Sequence, residues 1–252
     1  MCVYLSLELT RMGHDHLRAS HAYSNIPTDN AMKAIIKRFG PKLHHLNLAG
    51  CSLLSGNSFF EIRARCRELR ELDISRLSDL PAAALLGLFL SQATRAEELA
   101  AASANAMHTS IFTDDHEQTI SGKQGFAIKQ QLLLPLPPLR RVNLASLTHV
   151  TDDVLWHLVS SCGQHLVSLN ISGCHRLTGR SAMMIALHCP AMQTLDISFV
   201  RGILCEALVH VVNSCPRLQQ LMVWGCTQLN EVFYNGHNNM DLLVVGQNRS
   251  MR

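Results

Sequence analysis

The sequence predicts an α/β solenoid: a curved stack of about six strand–turn–helix units, with parallel strands on the concave side and helices on the convex side. Three observations predict it. First, an apolar-led pattern returns at a fixed interval: LHHLNLAGC from Leu43, LRELDISRL from Leu69, LRRVNLASL from Leu139, LVSLNISGC from Leu166, MQTLDISFV from Met192 and LQQLMVWGC from Leu218. The steps are 26 (43 to 69), 27 (139 to 166), 26 (166 to 192) and 26 (192 to 218); the step of 70 from 69 to 139 is one period plus an insert of about 44 residues. A period of this size marks stacked units that cannot bury their apolar faces alone. Second, the apolar spacing inside each unit switches from alternation to helical. Third, cysteines recur in two fixed slots.

Each unit opens with a short strand. In LVSLNISGC, Leu166, Leu169 and Ile171 point inward, while Ser168, Asn170 and Ser172 alternate outward. Twelve residues after the leading Leu come Ser55, Thr151 and Thr178, hydroxyls suited to cap a helix N-terminus. In the second unit Ser78 comes after nine, which implies a shorter turn; Asp79 and Asp152 stand beside two of these residues. Helical stripes follow: Phe59, Ile62 and Cys66; Val154, Leu155, Leu158 and Cys162; Ala182, Ile185 and Cys189; Ala207, Leu208, Val211 and Cys215. Thr28, Asp29, Ala31, Met32, Ile35, Ile36 and Phe39 repeat the helical half before the first clear strand, so the array begins ahead of Leu43.

The domain reading follows. Residues 1–25, where Val3, Leu5, Leu7 and Leu9 alternate, are a degenerate cap or the truncated end of a longer protein, the second being favoured because a solenoid needs a polar cap. Residues 26–90 are the first part of the solenoid and 139–240 the second, with 241–252 as a C-terminal cap or tail. Between them, 91–138 is an insertion: ATRAEELAAASANA extends the second unit's helix, and HTSIFTDDHEQTISGKQG is a polar loop. The loop is read as a tolerated surface insertion, with partner contact or phosphorylation as the sharper alternative.

Composition narrows the function. The 252 residues carry a net charge of only +3 with 16% charged residues, and no Lys/Arg run argues for nucleic acid. Cys51, Cys174 and Cys226 share one slot; Cys66, Cys162, Cys189 and Cys215 share another. Cysteines in register are small buried wedges, reduced as in the cytoplasm or nucleus. There is no C-x-x-C, and the 14 histidines lack metal-site spacing, so no metal or cofactor is expected. No catalytic motif stands in context: Asp114, Asp115 and His116 fall in the insert, and Cys205, off both slots at a helix start, is read as an inert thiol. The chain is therefore not expected to be an enzyme. The longest apolar run, Ala82 to Leu90, is too short to span a bilayer, and MCVYLSLELT has no basic segment and carries Glu8, unlike a signal peptide.

CPAMQTLDIS, CPRLQQLMVWGCTQL and LVSLNISGCHRLTGRSAMMIALHC resemble the cysteine-containing leucine-rich repeat, roughly C-x-x-L-x-x-L-x-L-x-x-C-x-x-[IL]-[ST]-[DG]-x-x-[LA]. The resemblance covers about residues 26 to 240 apart from the insert. Proteins with this repeat are mostly F-box/leucine-rich-repeat proteins, in which the solenoid holds a substrate for a cullin-RING ubiquitin ligase. The stretch LMVWGCTQLNEVFYNGHNNMDLLVVG is similar to the last repeat and cap of the leucine-rich-repeat subunit of the nucleotide-excision-repair damage-recognition complex, which also works with a cullin-type ligase. Residues 1 to 40 show no F-box: no Leu-Pro start, no three-helix apolar pattern and no Cys-x-x-Trp end. The resemblance implies a protein–protein interaction module. Its first reading is a substrate-recognition subunit of a cullin-type ligase, with a cullin adaptor or ligase subunits as partners. The alternatives are a subunit of a DNA-repair complex and a regulatory scaffold with no ubiquitin connection.

The outward strand positions are the candidate partner-binding residues. They include Asn47, Glu71, Asp73, Arg141, Asn143, Asn170, Thr194, Asp196, Gln220, Met222 and Trp224, with His45, Ala49, Ser75, Ala145, Ser168, Ser172 and Ser198 in the same rows. A protein target is expected there, with neither nucleic acid nor membrane. Trp224 is the expected anchor, because exposed Trp is a favoured interface residue. Its rival placement is under the C-terminal cap, with Phe233 and Tyr234.

Overall fold

The structure is a computed structural model that describes residues 6–9, 17–20, 28–90 and 136–246. Nine strands form one sheet in chain order: β1 (Ser6–Leu9), β2 (Leu17–Ser20), β3 (Leu43–Asn47), β4 (Glu71–Asp73), β5 (Arg141–Asn143), β6 (Ser168–Asn170), β7 (Thr194–Asp196), β8 (Gln220–Met222) and β9 (Leu243–Val245). β1 pairs antiparallel with β2, and each later neighbouring pair is parallel. The helices are α1 (Asp29–Phe39), α2 (Gly56–Arg65), α3 (Ala82–Phe89), α4 (Asp152–Cys162), α5 (Gly179–His188), α6 (Cys205–Ser214) and α7 (Glu231–Gly236), each packed on the next. Strands in strict sequence order, with every return helix stacked on its neighbour, make a solenoid.

The core is the stack of slots that the period aligns. Leu46, Leu72, Val142, Leu169, Leu195 and Leu221 are successive partners across the sheet, each no more than 3% exposed. Fully burying such a side chain contributes roughly 1.5–3 kcal/mol. Glu71 pairs with Arg141, Leu72 with Val142 and Asp73 with Asn143, and α3 packs on α4. The insert therefore interrupts the chain without shifting the ladder. The helix extension and polar loop read for 91–135, and the segments 1–5, 10–16, 21–27 and 247–252, lie outside the described residues.

After each strand the chain turns through one left-handed residue: Gly50, Arg76, Ser146, Gly173, Phe199 and Gly225, with φ between 60 and 72°. A buried apolar residue follows and fills the corner: Cys51, Cys174 and Cys226 after the three glycines, Leu77, Leu147 and Val200 after the others. Cys174 donates its S–H to Leu144 O (3.2 Å), and Cys226 to Ile197 O (3.2 Å). In the second slot Cys162 donates to Pro137 O and Cys215 to Cys189 O, each at 3.4 Å. The eight described cysteines are buried free thiols. Burial pushes Cys66 and Cys174 up to about 12 and Cys51, Cys162 and Cys215 up to about 11, far from the thiolate range at neutral pH.

Ser55, Thr151 and Thr178 cap α2, α4 and α5, accepting from the N–H of Asn57, Val154 and Arg180. Ser78 does not cap α3. That helix begins at Ala82 behind Pro81, in the usual slot, so the second unit's turn is not shortened. Ser78 stays in the turn, where its carbonyl accepts from Thr148 Oγ1 (3.0 Å). Two caps are tied to the preceding unit. Asp29 accepts from Ser55 N (2.9 Å), Ser55 Oγ (2.5 Å) and Ser58 Oγ (2.5 Å). Asp152 accepts from Thr178 N (3.0 Å), Thr178 Oγ1 (2.6 Å) and Ser181 Oγ. Burial raises both carboxyls, but the accepted hydrogen bonds outweigh it and hold them below the ordinary value.

Leu169 and Leu195 are 1% and 0% exposed. Alanine at either should lower the unfolding free energy by roughly 2–5 kcal/mol, read from denaturant midpoints; near-wild-type curves for both would break the register. The clamps carry a pH signature. A carboxyl whose folded pKa lies below its unfolded value, about 4, adds stability above that value and loses it as pH falls through the folded pKa. Melting temperature should therefore drop in acid below about pH 4, and the double variant Asp29→Asn, Asp152→Asn should flatten the drop. An equally steep drop in the double variant would remove the clamps from the acid response.

Candidate protein-binding face

Two rows of side chains cross the strands. The second position after each leading residue gives His45, Glu71, Arg141, Ser168, Thr194 and Gln220; the fourth gives Asn47, Asp73, Asn143, Asn170, Asp196 and Met222. All of them but Gln220 line a shallow groove of about 470 Å³. Of the residues expected to bind a partner, Asn47, Glu71, Asp73, Arg141, Asn143, Asn170, Thr194, Asp196 and Met222 line it together. Gln220 lies on β8, half-buried, outside the lining, and Trp224 stands in the turn beyond the strand.

The fourth-position row does structural work that alternation did not reveal. Asn47 Oδ1 accepts from Ala49 N (2.9 Å), Asp73 from Ser75 N (3.0 Å), Asn143 from Ala145 N (3.1 Å), Asn170 from Ser172 N (2.9 Å) and Asp196 from Ser198 N (2.9 Å). Each is an Asx turn that ends its strand, and the signal was Asn or Asp with Ala or Ser two residues on. At the sixth position two residues depart from the outward reading. Ser75 and Ser198 are buried at 5% and 4%, because the chain is already turning there and strand alternation no longer applies.

Charge on the face is concentrated at its N-terminal half. Glu71 Oε2 lies 2.6 Å from His45 Nδ1, and Glu71 Oε1 lies 3.3 Å from Arg141 Nη1, joining three adjacent strands. Asn143 Nδ2 donates to Asp73 Oδ2 at 3.0 Å. At the other end, Trp224 is 54% exposed. A Cβ at Gly246 would fall 2.7 Å from indole atoms, so part of the ring rests on that backbone. The ring of Phe233 instead meets Tyr234 and His237.

The other sites considered are placed as follows. Asp114, Asp115 and His116 lie outside the described residues. Cys205 is buried at the start of α6, its S–H 3.1 Å from Gln228 O and 3.4 Å from Asn230 Oδ1. It occupies the slot that Asp29 and Asp152 fill in their units. Among the described residues no three His, Cys, Asp or Glu side chains gather as metal ligands, and no helix is long and apolar enough to cross a membrane.

The class is thus a leucine-rich-repeat solenoid with an open, polar strand face. No family profile matches the chain. It is similar in sequence to the DNA repair protein rhp7 of Schizosaccharomyces pombe, 22% identical over 202 residues that cover 79% of this chain and 29% of rhp7. The chain therefore spans less than a third of that relative's length. Among solved structures it matches a chain of the Rad7 and Elc1 complex in yeast, with TM-score 0.62, 17% identity, and coverage of 88% of this chain and 44% of that one. The leucine-rich repeat-containing protein LegL7 of Legionella pneumophila gives TM-score 0.43, 14% identity, and coverage of 81% and 54%.

Removing an Asx turn should be felt in stability. Asn170→Ala is expected to cost about 1 kcal/mol in urea unfolding. Gln220→Ala, on the same face without a capping bond, should stay within about 0.5 kcal/mol of wild type. Equal losses would mean that the row does not end the strands.

Proposed function

We propose that this chain is a protein-recognition subunit of a DNA-repair assembly, presenting a bound protein to a cullin-type ubiquitin ligase. The observation that carries the repair reading is the similarity to rhp7 along 79% of the chain. The ligase part is supported by the repeat class, whose members hold substrates for such ligases. It is also supported by the structural likeness to a chain from the Rad7 and Elc1 complex, an assembly of two proteins.

The mechanism is presentation. The groove and the turns beside it offer hydrogen-bonding groups and a half-exposed indole to a folded or extended partner. Chemistry on the bound protein belongs to a separate ligase, so this chain needs no nucleophile, cofactor or metal. Work in a repair assembly places it in the nucleus, where reduced thiols are also at home.

The test is purification of the tagged chain from its native cells, with co-purifying proteins identified by mass spectrometry. Repair proteins together with a cullin or its adaptor are the expected result; stable partners of neither kind would overturn the proposal in favour of a plain scaffold. With a purified partner, Trp224→Ala should weaken binding by about 2 kcal/mol or more by calorimetry. Unchanged affinity would remove Trp224 as an anchor.

A further inference from the structure

The six units share a pattern, and three large apolar departures from it fall together. At the fourth position five units carry Asn or Asp, each closing its own turn; the sixth carries Met222. At the sixth position five carry Ala or Ser; the last carries Trp224. At the left-handed seventh position three carry Gly, the second and third carry the polar Arg76 and Ser146, and the fifth carries an aromatic, Phe199, at φ 64°. All three lie on neighbouring strand ends. Met222 is the partner of Asp196 across β7 and β8, and Phe199 N–H donates to Trp224 O at 2.6 Å. Phe199 and Trp224 are 52% and 54% exposed. The Phe199 ring lies against Gly225, and the indole against Gly246, where side chains would collide with them.

Each departure works against the fold alone. A bulky residue with positive φ is strained. Met222 gives up the Asx turn, so Trp224 N–H must bond to Ser198 Oγ of the preceding unit, at 3.1 Å. Two large rings are left half in water. Residues that oppose their own fold mark places selected for another reason.

Charge identifies the complement. Asp196 borders this ledge, and among the described residues no cation lies within ion-pairing distance of its carboxylate. That carboxylate, beside two exposed rings, attracts a cation and disfavours an acidic segment.

We propose that Phe199, Met222, Trp224 and Asp196 form the docking site for a basic–apolar segment of the partner protein. An aliphatic or aromatic side chain seats on the rings, with Met222 adapting to its shape. An adjacent Lys or Arg meets Asp196, and an Arg also stacks on the indole. This rests on the recognition reading above and names its site and the partner's chemistry.

The experiment pans a random peptide display library on the full chain, then titrates an enriched peptide by fluorescence polarisation. Enriched peptides should pair Lys or Arg with a neighbouring large apolar residue. Phe199→Gly and Asp196→Asn should each lower their affinity by about tenfold or more. Phe199→Gly installs the residue that three other units use, and should melt no lower than wild type, so lost binding would not be lost folding. Asp196→Asn keeps the Oδ1 that closes the turn. Enriched peptides without a basic residue, or affinities unchanged in both variants, would overturn the site while leaving protein recognition elsewhere on the array intact. No enrichment on wild type over Phe199→Gly would overturn it too, as would a labelled single-stranded oligonucleotide that binds wild type and is lost in Phe199→Gly.

Discussion

Units of this protein are joined by one repeated exchange: the N–H of the fifth position reaches the fourth-position carbonyl of the next unit. Leu48 reaches Asp73, Ile74 reaches Asn143, Leu144 reaches Asn170, Ile171 reaches Asp196 and Ile197 reaches Met222, at 2.7–3.0 Å. Strands β4 to β8 are only three residues long and have no stability of their own. Their leucines are buried because the next unit sits in register against them. The rest of the molecule depends on that register. It keeps β4 and β5 paired although the repeat period is interrupted between them, and it turns residues 26 apart into neighbours.

A stack of this kind turns a corner twice per unit, and each corner exposes backbone groups that water cannot reach. The chain satisfies them with short side chains: Asx turns where the strand ends, thiols donating to carbonyls of the preceding unit, and hydroxyl caps where the helix starts. Asp29 and Asp152 add a second connection between units, at the helix starts rather than along the sheet. Cys205 fills the same slot two units after Asp152, donating toward the Asn230 cap of α7. The slot thus takes a carboxylate that accepts from two hydroxyls or a thiol that donates to an amide oxygen.

The features legible in the sequence were those that act within one unit. Leucine spacing, helical stripes and the caps Ser55, Thr151 and Thr178 follow from local periodicity, and the structure places them as read, whereas Ser78 stays in its turn and Thr28 makes no side-chain capping bond. What alternation could not show is how far a strand extends. It placed Ser75 and Ser198 outward, yet the strands end after three residues and both side chains are buried in the turn. Contacts between units were also hidden, because Asp152 to Thr178 is local only once the stack exists. Arg63 is the sharpest case. It is a charged residue next to Ile62 on α2, yet it is 1% exposed and donates to Leu88 O at 3.0 Å, at the C-terminal end of α3. Burial, with Arg67 nearby, lowers its guanidinium to about 10. Arginine at a helix C-terminus meets the carbonyls left without partners there.

The same bookkeeping of polar groups constrains how the face can bind. Five of its six fourth-position side chains already use an oxygen to close a turn, and Glu71 already holds His45 and Arg141. Covering groups that are already bonded exchanges one partner for another and adds little net affinity. Such a surface selects by shape and charge pattern, while favourable free energy has to come from apolar area that water leaves on contact. On this face that area is concentrated at one end, at Met222 and the rings beside it. The repeat therefore divides the labour: its regular rows set the register of a partner, and its irregular end supplies the anchor.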